Sequence, residues 1–480
     1  MKRSVALLLT GIAAAACVST PPATPGQVAV QPAALGLGAA PSPEISSTWW
    51  TAFGDSQLDD LMTQALAGNP SLQVALARMR QAQAGLESVQ GSTHAQLGAD
   101  ADVRRQRLSE SYIIPPPWGG TTQSIATAQA TLSWSLDFWG RQQSQVDQAH
   151  SLASAAALDA DAARLALAGS VTQAYIGLAR AWALRDLAAD AVKQREGVLA
   201  LTATRVTSGL ESQAAARQAE ALLALERENL ARAAADVELA EHALATLVGR
   251  GVDLYGQIAR PQLQPDALAL PDSLPADLLA RRPDIRAARA RIDAAMAGRE
   301  VARKAWYPDI DLAGFAGIAT VGLSSMFSTE ALTYGAGAAI HLPMFNVSQL
   351  RATYAGATAD LDAAVADYNA GVVGAVRQAA DAVTRVHSLQ EQAGAQGAAL
   401  TAADESLRLA QSRYRNGLSP QLAVLDAEAV WLRARQQQVL IHSGLVDQRV
   451  ALLVALGGGF GPDTTTGAAA VSSSQDMAHE

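Results

Sequence analysis

Two kinds of hydrophobic spacing alternate along this chain, and each occurs twice. In the first kind, apolar residues recur every three or four positions. Leu361, Val365, Tyr368, Val372, Val376, Ala379, Val383 and Val386 make one such seam, the heptad-like pattern of a long packed helix. No Pro interrupts the stretch between Pro117 and Pro261, or that between Pro343 and Pro420. The pattern predicts helices from near Gly140 to Ser208 and from near Ser348 to Asn416, each about 100 Å long at 1.5 Å per residue. The second kind of spacing is strict alternation. In "ATAQATLSWSLDF" (Ala126 to Phe138), Ala128, Ala130, Leu132, Trp134 and Leu136 share one side, and "AQLGADADV" from Ala95 alternates as well. "DIDLAGFAGI" from Asp309 and "YGAGAAIHLPMF" from Tyr334 repeat the pattern. Alternating segments of about ten residues are the signature of a transmembrane β-strand; a single one says little, and the recurrence gives it weight.

The turns repeat too. "RVTSGLESQAAARQAE" (Arg205 to Glu220) is a diverged copy of "RYRNGLSPQLAVLDAE" (Arg413 to Glu428). Gly209 and Gly417 stand 208 positions apart, as do Arg205 and Arg413, and Gly249 and Gly457. Upstream, "NPSLQVALARMRQAQAG" from Asn69 matches "RPDIRAARARIDAAMAG" from Arg282, with a separation of 213. The chain is therefore a tandem duplication with small insertions in its loops. Each copy has the same plan. A helix of about 25 residues opens at Pro70 or Pro283, where the missing N–H costs nothing, and reaches Glu87 or Arg303. Two strands follow, then the long helix, a turn at Gly209 or Gly417 that ends it in left-handed geometry, and a return helix. Pro420 suits the first turn of the second return helix.

Composition narrows the function. Of 480 residues, 49% are hydrophobic, 5% aromatic and 17% charged, which favours closely packed helices over a large globular core. The net charge of −9 and the lack of a basic cluster exclude nucleic acid as a partner. The seven His are scattered, with no pair at metal-ligand spacing. There is no Gly-rich phosphate loop, and "GLSSM" around Ser324 is not a nucleophile elbow. The carboxylates fall at helix-surface spacing and read as solvated faces. No catalytic residue, metal or cofactor is expected.

The N-terminus carries an address. Met1-Lys2-Arg3 and the weakly apolar Val5 to Ala16 form a signal too short to span a bilayer, and it ends "AAAAC". That ending resembles a lipoprotein signal with Cys17 as the acylated first residue, although Ala14 stands where Leu is usual. An ordinary cleaved signal peptide with an incidental Cys is the alternative. Val18 rather than Asp after the Cys favours the outer membrane, and the Pro-, Ala- and Gly-rich residues that follow read as a tether.

"WWTAFGDSQLDDLMTQALAGNPSL" from Trp49, "LSWSLDFWGR" from Leu132, "AWYPDIDLAG" from Ala305, "LPMF" from Leu342 and the second turn together resemble the TolC-like outer-membrane efflux proteins. Within them, the chain is similar to the lipoprotein branch (OprM-like, NodT family) that serves RND-type pumps. The resemblance implies an α+β membrane protein and a homotrimer in outer-membrane lipid. Each chain would give four strands to one twelve-stranded β-barrel, continued by a periplasmic α-helical coiled-coil barrel. It also implies a passive exit duct for small molecules, joined to a periplasmic adaptor (membrane fusion) protein and an inner-membrane RND-type pump. The adaptor would meet the turns at Arg205, Gly209, Leu210, Arg413, Tyr414, Gly417 and Leu418. Leu422 and Asp426, four apart on one helix face, would form the periplasmic gate. Ala423 stands where some members carry a second Asp, and the first copy has Ala215 and Gln218 in the matching places.

The implied division is signal peptide 1–16, lipidated tether 17–45, first repeat 46–249, equatorial connector 250–281, second repeat 282–457 and tail 458–480. Trp49, Trp50 and Phe53 would belong to the equatorial collar. Trp134, Trp139, Trp306, Tyr307 and Phe345 would form an interfacial aromatic girdle. Two other readings stand beside the duct for small molecules: an outer-membrane channel for protein secretion, and a non-conducting trimeric coiled-coil spacer. A spacer would carry its strands at one end of the chain, whereas here a strand pair lies in each half.

Overall fold

The computed structural model describes residues 24–30, 45–111, 114, 117–264, 281–343 and 346–459. The signal peptide, Cys17, Phe345, most of the C-terminal tail and residues 265–280 of the connector lie outside these. The elements run α1 (Ser56–Gly68), α2 (Pro70–Ser92), β1 (Gln96–Arg107), β2 (Thr122–Leu136), α3 (Arg141–Thr207) and α4 (Gln213–Val248). The second copy follows with α5 (Pro283–Lys304), β3 (Asp309–Val321), β4 (Leu332–His341), α6 (Val347–Arg415) and α7 (Gln421–Ala455). Pro70 and Pro283 each occupy the first helical position, as the fixed φ of proline favours. Pro420 instead sits one residue outside α7, as its N-cap, with ψ 160°.

Contacts divide the chain into two compact units, each drawn from both copies. One comprises Arg78–Ala156 and Ala287–Asn369 with part of the N-terminal segment. Its centre is a four-stranded antiparallel sheet in the order β1-β2-β3-β4. Leu97 stands opposite Leu132, Leu132 opposite Gly314, and Gly314 opposite Ala336. This register gathers the alternating apolar residues on one face: Leu97 to Val103, Ala126 to Leu136, Ile310 to Ile318 and Leu332 to Ile340, taking every second residue. The other face carries Asp100, Asp102, Gln129, Thr131, Gly317, Thr333 and Gly335. A globular protein would cover its apolar face, but Leu97, Leu132, Leu312, Tyr334 and Ile340 are all exposed. Among the described residues, the outer edges of β1 and β4 pair with no other strand.

Aromatic residues lie where strands give way to helices. Trp139 stacks on Tyr307 at 5.1 Å and donates from its Nε1 to the Pro308 carbonyl at 2.9 Å. The Trp134 indole donates to the Thr93 carbonyl at 3.2 Å. Trp306 differs from the girdle expectation: it is buried, just past the end of α5, where its backbone N–H still bonds to the Arg303 carbonyl.

The second unit contains Ala157–Arg286 and the chain from Ala370, together with the segment before Arg78. Its core joins Trp49 and Phe53 to Leu58, Leu61, Met62 and Ala65 of α1, spaced by three and four. It continues through Val171, Tyr175 and Leu178 of α3, Leu244 and Val248 of α4, and Val446, Val450 and Leu453 of α7. A polar brace crosses this core. The Tyr175 hydroxyl donates to Asp55 at 2.7 Å and accepts from the Gln57 amide at 2.8 Å. Gln57 Oε1 and Asp55 accept in turn from the backbone N–H groups of Ala259 and Gln262. Burial and the Asp55 carboxylate push the Tyr175 hydroxyl above its ordinary pKa, so it stays a donor.

Candidate functional site

The two turns are built alike because the same residue ends each long helix. Gly209 has φ 71° and Gly417 φ 74°, values a side chain resists by about 1–2 kcal/mol. In the first turn the N–H of Leu210 reaches the Arg205 carbonyl at 2.8 Å, and that of Gly209 reaches Val206 at 3.0 Å. In the second, Leu418 reaches Arg413 at 2.8 Å and Gly417 reaches Tyr414 at 3.0 Å. This is the paired bonding of a Schellman motif, which satisfies carbonyls that a helix end leaves open. Ser212 then caps α4 by accepting from the Ala215 N–H. Pro420 starts α7 with no side-chain cap.

The side chains expected at a partner surface separate into two groups. Leu210 and Leu418 are 66% and 70% exposed, and Gly209, Arg413 and Gly417 are exposed with them. Tyr414 and Arg205 turn inward. Tyr414 is 1% exposed, with the Arg205 guanidinium over its ring at 4.8 Å, and Arg205 Nη1 donates to the Tyr414 carbonyl at 3.2 Å. Glu211 lies 3.6 Å from Arg205 Nε. The Tyr414 hydroxyl meets Thr202 Oγ1 at 3.3 Å, and the Gln421 amide donates to the same oxygen at 3.1 Å. These two residues brace one turn against the other, and their side chains present little to a partner.

Leu422 and Asp426 share the exposed face of α7, whose opposite face buries Gln421, Val424, Leu425 and Glu428. Leu422 is 60% exposed, and Val430 continues the same stripe four residues beyond Asp426. Glu428 is what the sequence reading missed. It faces Arg195 of α3 at 2.9 Å, and the two side chains are 1% and 7% exposed. Burial pushes the Glu428 carboxyl up, against the opposing pull of Arg195. A spacing signal existed for both residues. Arg195 follows buried Ala191 and Val192 by four and three positions, and Glu428 follows buried Val424 and Leu425 in the same way. Each charge therefore sits on an apolar stripe.

No group of three or more His, Cys, Asp or Glu able to hold a metal occurs among the described residues. No helix among them is long and apolar enough to cross a membrane, so the uncovered sheet is the apolar feature that requires explanation.

Known proteins share this combination. The family model described as outer membrane efflux protein matches residues 61–250 and again 274–458, one match per copy. Over 368 residues the chain is 34% identical to the fusaric acid resistance protein FusA of Burkholderia cepacia, covering 74% of this chain and 69% of that one. It is 30% identical to the multidrug resistance outer membrane protein MdtQ of Escherichia coli O6:H1, covering 86% and 88% of the two chains. The crystal structure of the outer membrane protein VceC of Vibrio cholerae superposes with a TM-score of 0.81 at 33% identity, covering 87% of this chain and all of that one. The α+β architecture that the resemblance implies is shared with VceC, and the chain belongs to the outer membrane efflux protein family.

Proposed function

We propose that the chain is the outer-membrane exit duct of a tripartite efflux pump, a trimer that conducts small molecules passively from a periplasmic adaptor and an inner-membrane RND-type transporter. The observation that carries this reading is the sheet. Among the described residues, its apolar face is largely uncovered and both of its edges are open. An open edge in lipid leaves backbone groups unpaired, at several kcal/mol each. Four strands do not close a barrel, whereas three copies give twelve. The uncharged run from Ala126 to Leu136 spans about 33 Å along its strand, or about 25 Å when tilted, which fits the outward band of a membrane barrel. The helices form the periplasmic tunnel, with the turns at its entrance. The names of FusA and MdtQ, which speak of resistance, favour small-molecule cargo over secreted protein.

Acylation of Cys17 anchors the mature N-terminus, and intact-mass measurement of that terminus is its test. The adaptor contacts Gly209, Leu210, Arg413, Gly417 and Leu418, while Arg205 and Tyr414 hold the contact surface in shape. Leu210→Asp with Leu418→Asp should abolish adaptor cross-linking and leave trimers intact. Three copies of Leu422 and Asp426 narrow the tunnel and concentrate negative potential there. Purified trimers of Leu422→Ser with Asp426→Ala should conduct better in a planar bilayer and be blocked less by divalent cations. Wild-type conductance and block in that variant would remove these residues from the gate. Wild-type trimers that carry no current at all would favour the non-conducting spacer.

A further inference from the structure

The sheet's three aromatic side chains do not share a face. Trp134 and Tyr334 belong to the apolar face, whereas the register puts Phe315 on the opposite, polar one. There it stands opposite Thr131 on one side and Gly335 on the other. Its neighbours on that face are small: Ala313 and Gly317 along β3, and Thr333, Gly335 and Gly337 on β4. The ring lies directly over Gly335, where a Cβ would come within 2.8 Å of Phe315 Cε1. Covering a strand glycine with an aromatic ring is a recognised way to stabilise a sheet, and it uses one side of the ring. The remainder is free, and Phe315 is 41% exposed. Asp100 projects from the same face opposite Gln129, which in turn stands opposite Gly317. That places the carboxylate about 10 Å across the sheet from β3 at about 4.8 Å per strand.

From this juxtaposition we infer that Phe315, with Asp100, forms a contact site for planar aromatic cations on the inner wall of the barrel, distinct from the gate at Leu422 and Asp426. The inference rests on the duct reading above, which turns the polar face inward. The ring offers its quadrupole and a flat surface to a cationic aromatic solute. The acid supplies the long-range attraction, and the glycines leave room for the solute to lie flat. A tetraalkylammonium ion of the same charge shares the cation–π attraction and the attraction to the acid, but has no flat face to stack on the ring.

The experiment uses full-length trimers in a planar bilayer, with potassium current as carrier and ethidium or tetraethylammonium as blocker. Phe315→Ala should weaken ethidium block about tenfold, equivalent to about 1.4 kcal/mol, and tetraethylammonium block by a smaller factor of about threefold. Phe315→Tyr should restore ethidium block. Gly335→Ala, which displaces the ring, should resemble Phe315→Ala. Asp100→Asn should weaken block by both cations. Conducting Phe315→Ala trimers that keep wild-type ethidium block would overturn the site and leave the duct standing, with glycine cover as the ring's whole role. Phe315→Cys trimers in liposomes should react with a membrane-impermeant thiol reagent. Failure to react would place the residue away from water and overturn the proposal independently of any current. Absence of current from the wild type would overturn the duct and this site together.

Discussion

The two turns, Arg205 to Ser212 and Arg413 to Pro420, have one backbone and two sets of side chains. Their Gly conformations and their pairs of turn hydrogen bonds agree closely. Around them the copies diverge. Tyr414 corresponds to Val206, Thr202 to Ala410 and Arg195 to Ala403, each at the separation of 208. The network of Tyr414, Thr202 and Gln421 and the ion pair of Arg195 with Glu428 therefore have no mirror image. Glu220, the counterpart of Glu428, pairs with its near neighbour Arg217 on the surface. Duplication preserved what the backbone needs in order to turn. The polar contacts that join the first copy's long helix to the second copy's hairpin arose on one side only.

The largest expected effect tests that asymmetry. Glu428→Ala leaves Arg195 buried without its partner and should cost about 3–5 kcal/mol in thermal unfolding of the purified protein. Glu220→Ala, at an exposed local pair, should leave the melting temperature nearly unmoved. Replacing the pair together, as Arg195→Met with Glu428→Leu, should recover most of the loss. Equal losses at the two glutamates would erase the distinction between the copies.

A smaller effect depends on pH. Asp447 of α7 corresponds to Leu239 of α4, which is exposed. Burial raises the Asp447 carboxyl from 3.8 to about 6, against the pull of Arg180, whose Nη1 lies 3.6 Å away. The folded state thus holds this proton more tightly than the unfolded chain does. Its contribution to stability is complete below about pH 4 and is lost as pH rises through about 6. Asp447→Asn, which mimics the protonated form, should gain about 1–3 kcal/mol over wild type at pH 8 and nothing at pH 4. A variant less stable than wild type at pH 8 would show that the pairing with Arg180 outweighs burial.

The smallest effect sharpens what the copies share. Gly209→Ala and Gly417→Ala should each cost about 1 kcal/mol. The two losses should match, because nothing lies within 4 Å of a Cβ at either position and the φ value alone sets the cost. Unequal losses would mean that one turn is held by its surroundings.

What the sequence disclosed follows from periodicity and from the residues that break it. Alternation from Ala126 to Leu136 located β2 and its apolar side, and Gly209, Gly249, Gly417 and Gly457 marked helix ends, all at positive φ. What stayed hidden was pairing across the copies. Arg205 reads as a free surface charge in "RVTSGLESQ", since nothing local shows that Tyr414 will lie beneath it. Glu428 sits on an apolar stripe that hints at burial, but its partner Arg195 stands on a helix more than two hundred residues earlier. Trp306 likewise reads as a girdle residue by position, but the fold buries it. A linear pattern specifies which side of an element is apolar; what approaches that side is settled in three dimensions.

The open edges of β1 and β4 also have a genetic consequence. In a ring of three, each chain's β4 must meet the next chain's β1, so one defective edge opens the whole ring. Gly337→Pro removes a ladder N–H and stiffens the strand, and such an allele should act dominantly. Expressed at equal level with the normal allele, it would leave roughly one trimer in eight free of the defect. Loss of assembled oligomer from the membranes of such a merodiploid, measured against dosage, would count the chains in the ring without purifying it.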